Sequence, residues 1–307
     1  MKNLKRKTVI GACIFLAVFC NNSLAQNFIP LWTEGKIPNT KNLQSNDSIA
    51  NERYWKVAVP GMFAFFPSKQ ENTGSAVLIC PGGGYDHLAY VVSGTQLAKW
   101  YNTLGINAFV LIYRLPVAAN LVKKEIAPLQ DAQRAIRLIR ANAAAWGVNS
   151  DGIGVMGISA GGHVASCLGT HGEDVSAVGD SVDQYSFNPN FMILISPVIS
   201  MKSYVHAGSR RNLLGDEPSA NMVADYSTEL CVTNQTPPTF IVHAENDKSV
   251  KLENSLMFAS ALREKNVSVS LHVFPSGGHS FGLSNNPGSS NLWKELCELW
   301  IEEKGFK

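Results

Sequence analysis

The sequence predicts an α/β fold with a mostly parallel central sheet, and three observations carry that expectation. Short apolar runs at residues 75–80, 107–112, 191–196 and 240–243 read as strands buried on both faces, and stretches of helical periodicity separate them. No repeat, low-complexity tract or linker interrupts this alternation, so the roughly 280 residues after the N-terminal leader are expected to form one domain, 26–307. A Gly-x-Ser-x-Gly sequence, Gly157-Ile-Ser-Ala-Gly161, falls between an apolar run and a helical pattern, the strand-to-helix setting this motif requires.

Residues 1–25 read as a secretory signal peptide. Lys2, Lys5, Arg6 and Lys7 form a basic start, an apolar run covers residues 9–19, and Ser23 and Ala25 supply small residues for a signal peptidase before Gln26. The apolar run is too short to span a bilayer, and no later segment suggests a membrane anchor. Cys20 offers a lipoprotein alternative, disfavoured by Phe19, which stands where lipidation needs a small residue. The expected location is therefore secreted or periplasmic. The leader takes four of the 26 basic residues and none of the 24 acidic ones, which leaves a net charge of −2. A near-neutral chain without Lys/Arg clusters argues against a nucleic-acid partner. Four cysteines remain after the leader, Cys80, Cys167, Cys231 and Cys297, with no Cys-x-x-Cys pair for zinc or thiol redox chemistry. Cys80 and Cys167 read as buried thiols, while an oxidising compartment leaves a bridge between Cys231 and Cys297 open.

Taken in order, residues 26–51 are polar and read as irregular, and the runs at 75–80 and 107–112 begin the buried strands. Residues 130–146 carry Ala132, Ala135, Ile136, Ile139 and Ala143 at helical spacing. Asp131, Arg134, Arg137 and Arg140 take the other face, expected to be solvated or locally ion-paired. Residues 152–156 form a short buried strand, and residues 160–168, rich in small side chains, open a helix. Residues 200–236 are a polar excursion long enough to carry a small cap. Residues 267–274 alternate apolar and polar, as a strand nearer the sheet edge would, and Leu292, Leu296, Leu299 and Trp300 stripe the last helix.

The chemistry centres on Ser159. In a nucleophile elbow the serine occupies a sharp, strained turn, and Gly157 and Gly161 leave room where side chains would collide. A serine hydroxyl is a poor nucleophile at neutral pH, so the reading requires a histidine base and an acid to orient it. His279 lies in a Gly-rich loop after the strand ending at Phe274, and Asp247 lies in the loop after the strand ending at His243. The order Ser, Asp, His is that of the α/β-hydrolase fold. His243 and His272 fall inside strands and read as structural, and His163 sits on a helix leading away from the elbow. Glu245 competes with Asp247, which is preferred because it lies further out on its loop. Residues 81–85, Pro-Gly-Gly-Gly-Tyr, follow a strand as an oxyanion loop does, so the expected N–H donors are Gly83 or Gly84 together with Ala160. A plain glycine turn would look the same in isolation; the four features in one chain order single out the hydrolase reading. No metal or cofactor is expected.

With these residues in place, the chain resembles secreted α/β-hydrolases of the carbohydrate-esterase kind, the bacterial acetyl xylan esterases and the feruloyl-esterase-like (BD-FAE-like) hydrolases. The resemblance runs from about Ile29 to the C-terminus. It rests on Ile29-Pro-Leu-Trp-Thr-Glu-Gly35, Pro81-Gly-Gly-Gly-Tyr85, Tyr113-Arg-Leu-Pro116, Pro128-Leu-Gln-Asp-Ala-Gln-Arg-Ala135, Gly157-Ile-Ser-Ala-Gly-Gly-His163, Asn212-Leu-Leu-Gly215, Thr236-Pro-Pro-Thr-Phe240 and Gly277-Gly-His279. It implies a single-domain α/β-hydrolase with Ser159, Asp247 and His279 as triad and the Asp131 and Arg134 region as scaffold. The implied reaction removes acyl groups, often acetyl, from an acylated oligo- or polysaccharide. Relatives often carry Asp-Asp where this chain has Asn246-Asp247. A feruloyl or small-ester carboxylesterase would suit the same fold. So would a prolyl-oligopeptidase-type peptidase, against which the lack of a preceding β-propeller counts. A non-catalytic binding protein would predict a broken triad.

Overall fold

The computed structural model describes residues 27–307. The expected leader, its cleavage point after Ala25, Cys13 and Cys20 lie outside the described residues. In chain order the elements are β1 (Asn27–Pro30), β2 (Ser48–Ala50), β3 (Arg53–Lys56), β4 (Gly61–Phe65), β5 (Ala76–Cys80), α1 (Gln96–Thr103) and β6 (Asn107–Ile112). They continue with α2 (Ala127–Ala141), α3 (Ala143–Trp146), β7 (Ile153–Ile158), α4 (Ala160–Thr170), β8 (Met192–Ile195), α5 (Ala207–Leu214) and α6 (Ala220–Asp225). The chain closes with β9 (Thr239–Ala244), α7 (Glu253–Glu264), β10 (Val269–Phe274) and α8 (Trp293–Glu303).

Eight strands form one sheet in the order β1-β4-β6-β5-β7-β8-β9-β10, while β2 and β3 pair separately. From β6 to β10 every neighbour is parallel; β4 joins β6, and β1 joins β4, antiparallel. Strands β5 to β9 are buried along their whole length, which is why they appear in the sequence as unbroken apolar runs. β10 is half-buried at the edge. Helices flank the sheet: α4 lies on β7 and β8 and packs against α2, and α1 meets α8 where the Trp100 and Trp293 rings meet edge to face at 5.4 Å. Among the described residues no helix is long and apolar enough to cross a membrane.

Three expectations are corrected or narrowed. The segment up to residue 51 is not irregular throughout, because β1 adds an edge strand to β4. The Phe28 ring lies 5.1 Å from that of Phe63, over Gly61, where any Cβ would meet it at 2.1 Å. Of the two alternatives for the charged face of α2, the structure shows ion pairing rather than solvation, with partners distant in sequence. Asp131 is fully buried and receives Trp32 Nε1 at 3.0 Å and an ion pair from buried Arg114 at 2.7 Å. Arg134 pairs with Asp180 at 2.5 Å and Arg137 with Asp174 at 2.6 Å, both guanidinium groups being buried. The partners come from chain segments folded over the helix, which periodicity within the helix cannot reveal. Finally, Cys231 and Cys297 are both free thiols, as are Cys80 and Cys167. Cys297 is buried, and Cys231 donates to the Asp225 carbonyl at 3.2 Å.

Candidate active site

β7, β9 and β10 run parallel, so the turns after them open at the same end of the sheet, the carboxyl end where α/β folds present their sites. Ser159 occupies the turn from β7 into α4 with φ 56° and ψ −121°, a conformation costly for a residue with a Cβ. The surroundings enforce it. A Cβ on Gly157 would stand 2.2 Å from the Gly161 carbonyl oxygen, and one on Gly161 would stand 2.0 Å from that of Cys80. Ser159 N–H donates to the Ile195 carbonyl at 3.0 Å, and its own carbonyl accepts from Val198 N–H at 3.0 Å.

Across the end of the sheet the loop after β10 brings His279 Nε2 to 2.9 Å from Ser159 Oγ, and its Nδ1 to 2.7 Å from Asp247 Oδ2. Residues 120 positions apart thus meet in one line of hydrogen bonds. That loop is held at several points. Asn246 accepts from Gly278 N–H at 2.8 Å, Ser196 Oγ accepts from Ser280 N–H at 3.3 Å, and the Phe281 ring packs on Phe274 at 5.7 Å. Asp247 Oδ1 accepts from the N–H groups of Ser249 and Val250 at 2.8 and 3.0 Å. Burial opposes ionisation of Asp247, but hydrogen bonds from His243 and His279 outweigh it and hold the carboxyl well below the usual carboxylate range. Glu245 is exposed, and among the described residues no hydrogen bond joins its carboxylate to His279.

The glycine loop lies against the elbow. A Cβ on Gly82 would sit 3.2 Å from that of Ser159. Gly83 (φ 139°) and Gly84 (φ 62°) take left-handed geometry, and at Gly83 a Cβ would meet the His87 carbonyl oxygen at 2.0 Å. The Gly83 carbonyl turns back to accept from the N–H groups of Asp86 and His87 at 3.0 and 3.2 Å. Among the described residues the N–H groups of Gly83, Gly84 and Ala160 have no acceptor, so they are free to hold an anionic oxygen. Underneath, Tyr85 Oη lies 2.7 Å from Nδ1 of fully buried His163, whose Nε2 faces the Tyr226 carbonyl at 2.8 Å. Burial lowers the His163 pKa to about 4. The ring is therefore neutral at pH 7, Nε2–H donates to the carbonyl, and the Tyr85 hydroxyl donates to Nδ1.

Several contributors escaped sequence reasoning. His243 is buried in β9, yet its Nε2 stands 3.2 Å from Asp247 Oδ2 while facing the Val250 carbonyl at 3.0 Å. Its spacing of four from Asp247 was the available signal. Asn212, on α5, donates to the Gly84 carbonyl at 2.9 Å, and His206, just before that helix, reaches the same glycine. Asn212 opens the Asn-Leu-Leu-Gly motif that carries part of the resemblance, but the motif does not say that its side chain reaches Gly84, and nothing in the local sequence marks His206.

Chemically, a hydroxyl on an imidazole whose far nitrogen rests on a carboxylate can lose its proton as it attacks a carbonyl carbon. Known proteins resemble the chain along the same residues. It is 36% identical over 227 residues to the acetylxylan esterase of Xylanibacter ruminicola, covering 72% of this chain and 44% of that protein. It is 35% identical over 252 residues to endo-1,4-beta-xylanase B of Butyrivibrio fibrisolvens, covering 81% and 39% respectively. The chain thus spans less than half the length of these curated relatives. The crystal structure of an acetyl ester-xyloside bifunctional hydrolase from Caldicellulosiruptor lactoaceticus superposes with a TM-score of 0.81 at 36% identity, over 92% of this chain and 97% of that one. The BD-FAE family model matches residues 64–262, from β4 through the elbow and the Asp247 turn into α7, and the chain belongs to that family.

Proposed function

We propose that this chain is a serine carboxylic ester hydrolase that removes acyl groups, chiefly acetyl, from xylan-type plant polysaccharides. The observation that carries the reading is the relay of 2.9 and 2.7 Å from Ser159 through His279 to Asp247, set on a strained elbow. Ser159 Oγ attacks the ester carbonyl as His279 Nε2 takes its proton. Asp247 keeps the imidazole in the tautomer that can accept it. Ala160 and Gly83 or Gly84 donate N–H bonds to the oxyanion, each contributing about 2.7–4 kcal/mol to the barrier reduction. The C–O bond to the sugar then breaks, His279 returns the proton to the departing sugar oxygen, and the acyl group stays on Ser159. Water repeats the cycle and releases the carboxylic acid, so the reaction balances without metal or cofactor. The acetyl and xylan assignments are supported by the names of the relatives above.

Ser159→Ala tests the mechanism: the folded variant is expected to lose esterase activity by about 10⁴-fold or more, and a serine-directed phosphonate should block the wild type. Full activity in folded Ser159→Ala would overturn the mechanism. Efficient release of ferulate without acetate, in a comparison of acetylated xylan, feruloyl esters and p-nitrophenyl acyl esters, would overturn the substrate assignment only.

We further propose that residues 26–307 form one α/β-hydrolase catalytic domain, exported and cleaved after Ala25, with residues 200–236 as a small cap beside the site. The contact of Asn212 with Gly84 supports the cap. Mass spectrometry of exported protein should find a chain starting at Gln26; a start at lipidated Cys20 would overturn this.

A further inference from the structure

His206 belongs to no part of the relay, yet it stands at the site. Its Nδ1 lies 3.2 Å from the Ser209 backbone N–H and 2.8 Å from Ser209 Oγ, and so caps α5 as an acceptor. A neutral ring whose Nδ1 accepts carries its proton on Nε2. Among the described residues nothing accepts that proton. The His206 Cε1 stands 3.9 Å from where a side chain on Gly84 would begin, and Asn212 of the same helix donates to the Gly84 carbonyl. Burial lowers the His206 pKa, the neighbouring charge of His279 lowers it further, and Asp247 opposes both. His206 is therefore a neutral donor of fixed tautomer beside the glycine loop, within electrostatic reach of the proposed general base.

We propose that His206 is a specificity-determining residue that donates its Nε2–H to a sugar hydroxyl beside the scissile ester; this rests on the esterase reading above. The oxyanion already has donors from Ala160 and the glycine loop, which lies directly on the elbow. His206 comes from a different element, lies beside Gly84, and is near enough to His279 and Asp247 for their charges to act on it. The alcohol half of the ester must lie near His279, because that imidazole returns a proton to the departing oxygen. A donor at that end meets the sugar, and hydroxyl oxygens are its natural acceptors.

The test separates sugar from acyl recognition. His206→Asn keeps a capping acceptor for the Ser209 N–H, but its shorter amide cannot carry an N–H out to the place of the imidazole Nε2. For this variant kcat/KM on acetylated xylooligosaccharide should fall about tenfold or more beyond any fall on p-nitrophenyl acetate, whose leaving group has no neighbouring hydroxyl. His206→Gln, whose longer amide again presents an N–H donor, should recover part of the difference. Equal losses on the two esters in both variants would overturn the sugar contact. So would a sugar-ester kcat/KM within about twofold of wild type in folded His206→Asn. Wild-type enzyme that cleaves p-nitrophenyl acetate but no sugar ester would instead overturn the carbohydrate reading, and this inference with it.

Discussion

At the scale of single residues, Asp247 divides its work between its two oxygens. Oδ1 is fixed by two backbone N–H groups and Oδ2 is shared by His279 and His243, so the carboxylate has no freedom to turn away. Asp247→Asn places an amide where an anion is required and favours the wrong imidazole tautomer, with an expected fall in kcat of about 10⁴-fold. Exposed Glu245→Gln should remain within about threefold of wild type. Steady-state kinetics on both folded variants checks the ranking, and the reverse order would transfer the orienting role to Glu245. The sign of the Asp247 shift also has a pH consequence. Its folded-state pKa lies below the unfolded value of about 3.9, so its contribution to stability is present above that pH and is lost as pH falls through the lower folded value. Any loss of activity on acidification above about pH 3.9 should therefore not report protonation of Asp247, and an acid limb in the pH–rate profile above that value that disappears in Asp247→Asn while kcat is otherwise retained would contradict this.

At the scale of elements, the elbow and α2 show what a sequence can and cannot disclose. The elbow was legible because its glycines answer to contacts that the motif itself encodes. Gly161→Ala would drive a Cβ to 2.0 Å from the Cys80 carbonyl oxygen, so the variant is expected to be recovered largely insoluble or with a melting temperature lower by several degrees. Native-like melting would show that β5 and α4 can move apart. The α2 pattern left solvation and ion pairing open for the opposite reason. Its polar positions obey helical periodicity, but solvent does not lie opposite them; Trp32, Arg114, Asp174 and Asp180 do. Removing one member of the buried Arg114 and Asp131 pair strands the other, at a cost of about 3–5 kcal/mol. Arg114→Met should thus show a clear loss of denaturant midpoint. A midpoint equal to wild type would mean that Asp131 is satisfied by its other partners. The positions of the Asp247 and His279 loops were equally legible, because both follow strong strand signals. β1 and β4 were not, because a short antiparallel addition at the sheet edge leaves no long apolar run. The approach of His206 and Asn212 to Gly84 was hidden because the course of the excursion from residue 200 to 236 is set by tertiary packing.

At the scale of the whole molecule, the parallel sheet forms a layered core, and the site is assembled from its far-separated strand ends. Stability and function consequently share buried histidines. His163 is neutral in the fold, its pKa lowered to about 4 by burial, whereas the unfolded chain binds a proton below about 6.5. The unfolded state therefore binds more protons between these values. This contribution is present above pH 6.5, is lost as pH falls towards 4, and is on the order of 3 kcal/mol. Urea unfolding at pH 7, 5.5 and 4.5 should show part of the wild-type slope missing in His163→Gln; an unchanged slope would assign the acid sensitivity to other groups. The separation of 120 positions between Ser159 and His279 also bears on synthesis and refolding. A growing chain that has completed β7 and α4 carries the proposed nucleophile but not yet the proposed base. In the proposed mechanism the base is supplied by the loop that follows β10, so esterase activity requires β10 to have paired with β9, and activity regained on refolding reports that this pairing is complete.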